Sequence, residues 1–535
     1  MLRIVVKKIS VLSLISPSSL LILSLCLCVS AVNLSCGSKQ TDMRSLVPAE
    51  SLVYLETNDL AAALQPIVDN KAFEQVAKSK PDFSALKGVQ LAVAVTGFET
   101  TEEKLTDEHS VGRVQPHFVA VAETHAWNFQ AVGFAEKKLG SFVANIYNGE
   151  PTLEKSDKNG GKYFTWTAKD GRKTYALVAG SLIYFGNDES AIDKSLAVRR
   201  GEADSIVKTG RVPPADPATL ASGYVSTDGI AQIANIIGLK IASEAGEDAE
   251  VQSAIAGILP KLLRSSVTEI SWTATKNEQG IEDKYKITLP PDMANTLNEV
   301  LTPGDKPDFS LLEPLGENTP SVTFYNMKNP QIAWRGLFLT VSKQTDPVGG
   351  KMLLAFSSLL FEPYGIKDPE LFLKSVGNTI VSATIDGPGE KNLVIGSPID
   401  FEGVKRSVSP GVLALNSIRT KVAPDDLGYI FISKRVCIGN AIAAFSCEVP
   451  KDVAYEDSPI DASYFRNAKS VASTIGHDAD LSAPIAEVLG EKKSNDIKAV
   501  STYFTETRFT RSGMERNTIS DFGLIGSIIA QLNTE

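Results

Sequence analysis

The chain has 535 residues, 43% of them hydrophobic and 22% charged, which excludes the disordered and fibrous classes and allows about two to four domains. Its formal net charge is -10, and the first 35 residues contain Arg3, Lys7 and Lys8 with no acid, so 50 basic residues face 63 acidic ones in the remainder. A surface that acidic excludes nucleic acid as an expected partner and disfavours direct adsorption to anionic lipid.

The N-terminus carries the most specific signal. Met1 to Ser10 holds the three positive charges, and Val11 to Val32 is uncharged, with its densest apolar part at Leu20 to Val32. This is the charged-then-apolar pattern of an export signal. Asn33-Leu34-Ser35-Cys36-Gly37 comes next. A small residue before a cysteine at the end of an apolar run resembles a bacterial lipoprotein lipobox; Ser35 and Cys36 fit it, Leu34 fits loosely, and Asn33 departs from the usual Leu. The resemblance implies that residues 1–35 are removed, that the Cys36 thiol is alkylated by diacylglycerol, and that further acylation makes the anchor stable. Gly37 in place of the Asp that retains lipoproteins at the inner membrane points to the outer membrane. Two other readings stay open: ordinary cleavage after Val29-Ser30-Ala31, or an uncleaved anchor. All three place the folded part outside the cytoplasm.

Residues 36–46 read as a tether and 47–301 as a first half. Ser51 to Glu56 alternates as a strand, and Leu60 to Ala77 has a broken helical period around Pro66. Val89 to Val95 and Phe118 to Val121 are predicted strands joined by a charged loop, Glu99 to Glu108. Trp127 to Tyr147 has helical spacing, with Trp127 of His125-Ala126-Trp127 expected to anchor that helix on the sheet. Lys162 to Ala168 and Thr174 to Val178 form a hairpin across Asp170-Gly171. Leu182 to Phe185 is the next strand, and Ser190 suits the cap of the helix after it. Gly201 to Pro217 reads as a linker or long loop, and Gly223 to Val225 as a short strand. Helices are expected at Ile230 to Ile241 and Val251 to Leu263. A hairpin, Val267 to Thr275 with Glu282 to Leu289, and a helix at Asp292 to Leu301 complete this half.

Residues 302–316 hold three prolines and read as the boundary; 317–535 form the second half. Pro320 to Tyr325 answers Pro48 to Leu55. Helices are expected at Ile332 to Lys343 and Met352 to Phe361, and a hairpin joins Thr379 to Asp386 with Asn392 to Gly396. Gly428 to Val449 echoes Lys173 to Arg200: in each, a β-rich run ends in Gly-Asn, and an Ala-Ile pair opens the next apolar-periodic segment. Val500 to Thr510 and Met514 to Ile519 resemble Thr268 to Ile287. The landmark pairs Pro48 with Pro320, Gly186 with Gly439 and Gly280 with Gly513 are separated by 272, 253 and 233 residues, as a duplication with shortened loops in its second copy requires. The predicted fold class is therefore α+β, in two related halves, each a curved antiparallel sheet with helices packed on it.

Pro48-Ala49-Glu50-Ser51-Leu52-Val53-Tyr54 behind a signal segment resembles the opening strand of a family of exported bacterial proteins described only as a domain of unknown function. That resemblance implies a secreted or membrane-anchored protein and supplies no catalytic residues.

Chemistry has little apparatus in the sequence. There is no Gly-x-Ser-x-Gly, dinucleotide fingerprint or Walker loop, and Gly387-Pro388-Gly389 reads as a turn. His109, His117, His125 and His477 have no paired zinc spacing. Gly476-His477-Asp478-Ala479-Asp480 reads as a polar turn in which Asp478 or Asp480 caps a helix at Leu481 to Leu489. Ser84-Ala85-Leu86-Lys87 and Lys208-Thr209-Gly210 resemble two motifs of penicillin-interacting serine enzymes, in which the serine is acylated and the lysine activates it. Here Ser84 precedes a strand, and no third motif lies between them.

No catalytic residue, cofactor or metal is expected. Cys437 and Cys447 remain as an even pair in an oxidising compartment, able to bond or to stay as two buried thiols. Two functions are carried forward. The first is a non-catalytic envelope lipoprotein, held to the membrane through Cys36, that binds a protein or polymer or serves a structural role. The second is a carrier of a lipid or other apolar ligand in a groove between sheet and helices. A penicillin-interacting type of serine enzyme is a remote third. A large dry cavity under the helices is the mark of the carrier, and a filled core is the mark of the scaffold.

Overall fold

The computed structural model describes residues 40–104, 110–147, 149–214, 216, 218–243, 249–317, 319–385, 391–416, 426–440, 460–467, 469–478, 481–489 and 501–531. Its strands, in chain order, are β1 (Val53–Thr57), β2 (Gln90–Lys104), β3 (Ser110–Glu123), β4 (Thr152–Lys158), β5 (Gly161–Thr167), β6 (Lys173–Ala179) and β7 (Leu182–Gly186). Then come β8 (Thr219–Ser226), β9 (Glu269–Asn277), β10 (Gly280–Thr288), β11 (Ser321–Asn326), β12 (Val376–Ile385) and β13 (Lys391–Pro398). The last are β14 (Leu413–Leu415), β15 (Gly428–Ile432), β16 (Arg435–Gly439), β17 (Ala472–Asp478), β18 (Ser501–Thr510) and β19 (Gly513–Ser520).

All of these strands belong to one sheet, which corrects the expectation of a separate sheet in each half. The join is the antiparallel pair β10–β19, running from Ile281 opposite Ser520 to Thr288 opposite Gly513. Outward from β10 the order is β9, β8, β1, β2, β3, β7, β6, β5 and β4. Outward from β19 it is β18, β17, β11, β12, β13, β16 and β15, all antiparallel, with β14 added in parallel. The sequence could not announce this join, because it pairs segments 233 residues apart by register alone.

Glycines sit where the join demands them. Gly280 has φ 141° and Gly513 has φ 142°, a region L-residues avoid. A Cβ on Gly280 would collide with the carbonyl oxygen of Ser520, and one on Gly513 with that of Ile287. A second matched pair lies at the corner after β7 and after β16. Gly186 lets the chain pass against the carbonyl of Phe118, and Gly439 against that of Asn392. The next residue repeats as well: Asn187 Oδ1 accepts the N–H of Phe118, and Asn440 Oδ1 that of Asn392. The Gly-Asn echo thus has one mechanical meaning in both places, a tight strand end sealed by an amide.

Alternation along the strands makes two layers of core. On β2, Leu91, Val93 and Val95 face one side and Ala92 and Ala94 the other. The first side is covered by α1 (Leu60–Val68), α2 (Lys71–Val76) and the run α3 (Asn128–Phe134), a π turn (Ala135–Leu139) and α4 (Gly140–Ile146). Asp59 and Asn70 start α1 and α2 by accepting the N–H groups of Ala62 and Phe73. The second side is covered by α5 (Glu189–Arg199) and by short turns at Met43–Leu46 and Ile206–Thr209. Asp188, rather than Ser190, caps α5, and its carboxylate accepts the N–H of Ser190. From Met43 onward, the stretch read as a tether is packed into this core.

The remaining helices are α6 (Thr227–Ser243), α7 (Ala249–Ser266), α8 (Pro291–Val300), α9 (Pro330–Ser342), α10 (Pro347–Leu359), α11 (Pro369–Ser375), α12 (Phe401–Ser407), α13 (Ser482–Val488) and α14 (Gly523–Gln531). Their packing crosses the join. Ile485 of α13 and Ile525 and Ile529 of α14 fill the core beneath α1 and α2. Reciprocally, Met293 and Leu297 of α8, which comes after β10, pack with Ala333 of α9 and with Phe509 of β18. The stretch from Glu99, expected as a loop, instead continues both strands of the β2–β3 hairpin.

Candidate binding surface

The residues singled out in the sequence are scattered. Cys36 and Cys447 lie outside the described residues. Cys437 is buried on β16 and takes part in a disulfide whose other half also lies outside them. Ser84 starts a short turn and bonds to Asp82, while its neighbour Leu86 packs under α1. Lys208 pairs with Asp204 at 2.6 Å beside Ile206, which lies in the core on the opposite side of the sheet. The sheet therefore stands between the two motifs that resembled a serine enzyme. His477 and Asp478 belong to β17 and not to a turn. His477 Nε2 lies 2.8 Å from the carbonyl of Glu317 and its Nδ1 3.3 Å from Thr502 Oγ1, so it ties β17 to its neighbours. The helix after it, α13, has Leu481 at its N-cap; Asp478 is the last residue of β17, and Asp480, the other cap expected, lies outside the described residues. Among the described residues, no His, Cys, Asp and Glu come together in a group of three able to hold a metal ion.

The space between the sheet and helices α1 and α14 is nearly filled. Leu55, Leu91, Val93, Ala221 and Trp272 from the strands meet Leu60, Leu64, Ile525 and Ile528 from α1 and α14 around a cavity of about 50 Å³. One carboxylate is buried against Trp272. Asp283 accepts the indole N–H of Trp272 at 2.8 Å and the backbone N–H of Leu524, in the first turn of α14, at 2.9 Å. Burial pushes its pKa up to about 6, against the two hydrogen bonds that favour the charged form. On the other side of the sheet, burial likewise raises Glu56, although Tyr54 and Ser222 donate to it at 2.7 and 3.0 Å. Both carboxylates are occupied in holding elements together.

One apolar feature that faces solvent is the turn from β3 into α3. Four hydrogen bonds brace it. Thr124 Oγ1 donates to the carbonyl of Ser181, and the N–H of Ala126 donates to Thr124 Oγ1. The N–H of His125 donates to Glu123 Oε1 at 2.8 Å, and that of Trp127 to Gln130 Oε1 at 3.1 Å. His125 is held at φ 53°, an uncommon backbone state for a residue with a Cβ. The braced turn buries Ala126 and projects Trp127 and Phe129, which are 67% and 72% exposed. The expectation that Trp127 anchors α3 to the sheet is therefore overturned; Ala131, Ala135 and Leu139 provide that contact. Beside the turn a shallow recess of about 420 Å³ is lined by Asn128, Val132 and the β4–β5 tip from Asp157 to Lys162. Helical spacing counts Phe129 among the apolar positions with Val132, Leu139 and Val143, so the sequence alone does not separate it from the buried face.

The chain enters the fold next to this turn. The buried Gln90 side chain accepts from the N–H of Thr41 at 2.9 Å and donates to its carbonyl at 2.8 Å. Gln90 is itself paired with Glu123, the last residue of β3.

No protein-family model matches this chain, and no curated protein or solved structure matches it significantly. Among the described residues no helix is long and apolar enough to cross a membrane.

Proposed function

We propose that this protein is a non-catalytic lipoprotein of the bacterial cell envelope. It is exported, held outside the cytoplasm by diacylglycerol on Cys36, and presents a rigid α+β body as a binding or structural scaffold. The observation that carries the scaffold reading over the carrier reading is the nearly filled space between the sheet and helices α1 and α14. A cavity of about 50 Å³ between sheet and helices is far below the roughly 300–1,000 Å³ of a pocket that encloses a small ligand. The two halves are read as an internal duplication. Support comes from the matched strand order on either side of β10–β19, and from the paired roles of Gly280 with Gly513 and of Gly186-Asn187 with Gly439-Asn440.

The test is a crosslinking pull-down of the full chain from its own membranes, with lipid extraction of the same sample. The scaffold reading expects a crosslinked protein or polymer and no apolar ligand in stoichiometric amount. One extractable lipid per chain, beyond the acyl groups on Cys36, would instead establish the carrier.

A further inference from the structure

Thr41, five residues after the proposed anchor at Cys36, and the aromatic turn lie at the same end of the sheet. Thr41 is fixed by Gln90, and Gln90 lies opposite Glu123 in the β2–β3 ladder. Cys36 precedes Thr41 by five residues, so the anchor lies within about 17 Å of that point even if the connection is fully extended. Trp127 comes only four residues after Glu123. A lipid inserted in a bilayer turns this end of the sheet, which carries the Trp127–Phe129 turn, toward the membrane.

We propose that this turn is a second membrane contact, in which Trp127 and Phe129 enter the headgroup region of a phospholipid bilayer beside the lipid on Cys36. It rests on the reading of Cys36 as the anchor. Three observations support it beyond position. Trp127 and Phe129 are the most exposed aromatic side chains among the described residues, and Trp is the residue most suited to the interface between headgroups and acyl chains. The turn is pre-formed by its hydrogen bonds, so insertion orders nothing that was free. Residues 124–135 contain no carboxylate, and the three acids at the margin of this corner, Glu123, Glu136 and Asp157, each lie within 4 Å of a basic side chain, His125, Lys155 and Lys162 respectively. One acyl-anchored point leaves the body free to swivel; a second contact fixes which face of the sheet looks away from the membrane.

The test uses the full chain, purified from membranes and reconstituted in phosphatidylethanolamine vesicles whose acyl chains carry bromine, a contact quencher of indole. Of the four tryptophans, Trp166 and Trp272 are buried and Trp334 is half-buried, so Trp127 dominates any lipid-dependent quenching. The expected result is clear quenching in the native protein and loss of most of it in Trp127→Phe, a substitution that keeps an aromatic ring. Equal quenching in both, or full access of Trp127 to aqueous acrylamide on the vesicles, would overturn the proposal, as would protection of Trp127 only by a protein partner. Intact mass of the same preparation reads Cys36 independently. If Cys36 carries lipid and Trp127 is not quenched, this proposal fails while the lipoprotein reading stands. If Cys36 is bare, flotation with the same vesicles decides: flotation lost in the Trp127→Ser, Phe129→Ser double variant supports the contact, and no flotation of the native protein sinks it.

Discussion

Trp272 on β9 donates its indole N–H to Asp283 on β10 at 2.8 Å, inside the layer between sheet and helices. The same carboxylate receives the N–H of Leu524, so one buried acid couples the central strands to the last helix. Burial raises its pKa to about 6 from an ordinary 3.8. The folded chain thus holds a proton that the unfolded chain releases. Asp283 therefore contributes most below pH 4, and its contribution falls as pH rises through the window from about 4 to about 6, by up to roughly 3 kcal/mol. Denaturation of native and Asp283→Asn proteins between pH 4 and 7 checks this. The native protein is expected to lose stability relative to the variant across that window, and parallel profiles would count against it.

The β10–β19 join makes a prediction about two glycines. Gly280→Ala and Gly513→Ala each place a methyl group against a facing carbonyl at a φ that alanine resists. Each is expected to destabilise the protein by about 1–3 kcal/mol in urea unfolding. Similar losses at both sites are expected from their matched geometry, and a neutral result at either would mean that the join yields easily.

Cys437 is buried and disulfide-bonded, and Cys447 is the proposed partner. Peptide mapping of the non-reduced protein should recover the two segments joined, and Cys437→Ala should cost on the order of 2–5 kcal/mol. Free thiols at both positions would contradict the pairing.

Leu64 of α1 is buried against the small cavity. Leu64→Ala is expected to cost about 2–5 kcal/mol, because the void it leaves cannot collapse against a rigid sheet. The native chain is expected not to take up a fluorescent fatty acid. Saturable uptake of one molecule per chain would restore the carrier reading.

Much of the strand and hairpin pattern is legible in the sequence because local chemistry writes it. Asp170-Gly171 turns β5 into β6, with Gly171 at φ 89°. Asn159-Gly160 turns β4 into β5 with φ values of 53° and 75°, an equally local signal. The strand before it is hidden all the same, because β4, Thr152–Lys158, is polar and nearly all exposed, without the alternation that marks a half-buried strand. Helix α14 is hidden for the opposite reason. Gly523–Gln531 is apolar on nearly every side, since it is buried between α1 and the sheet, so it has no stripe to read. The charged ends of β2 and β3 look like a loop because they pair only with each other. The solvent-facing role of Trp127 depends on which residues of α3 turn inward, and spacing alone leaves that open.

The intact mass of the mature protein, taken from membranes in detergent, bears most directly on the central claim. The expected result is a chain that begins at Cys36 and carries diacylglycerol, together with a Cys36→Ala variant that leaves the membrane fraction. A mature chain that begins elsewhere, or that begins at Cys36 without lipid, would contradict it.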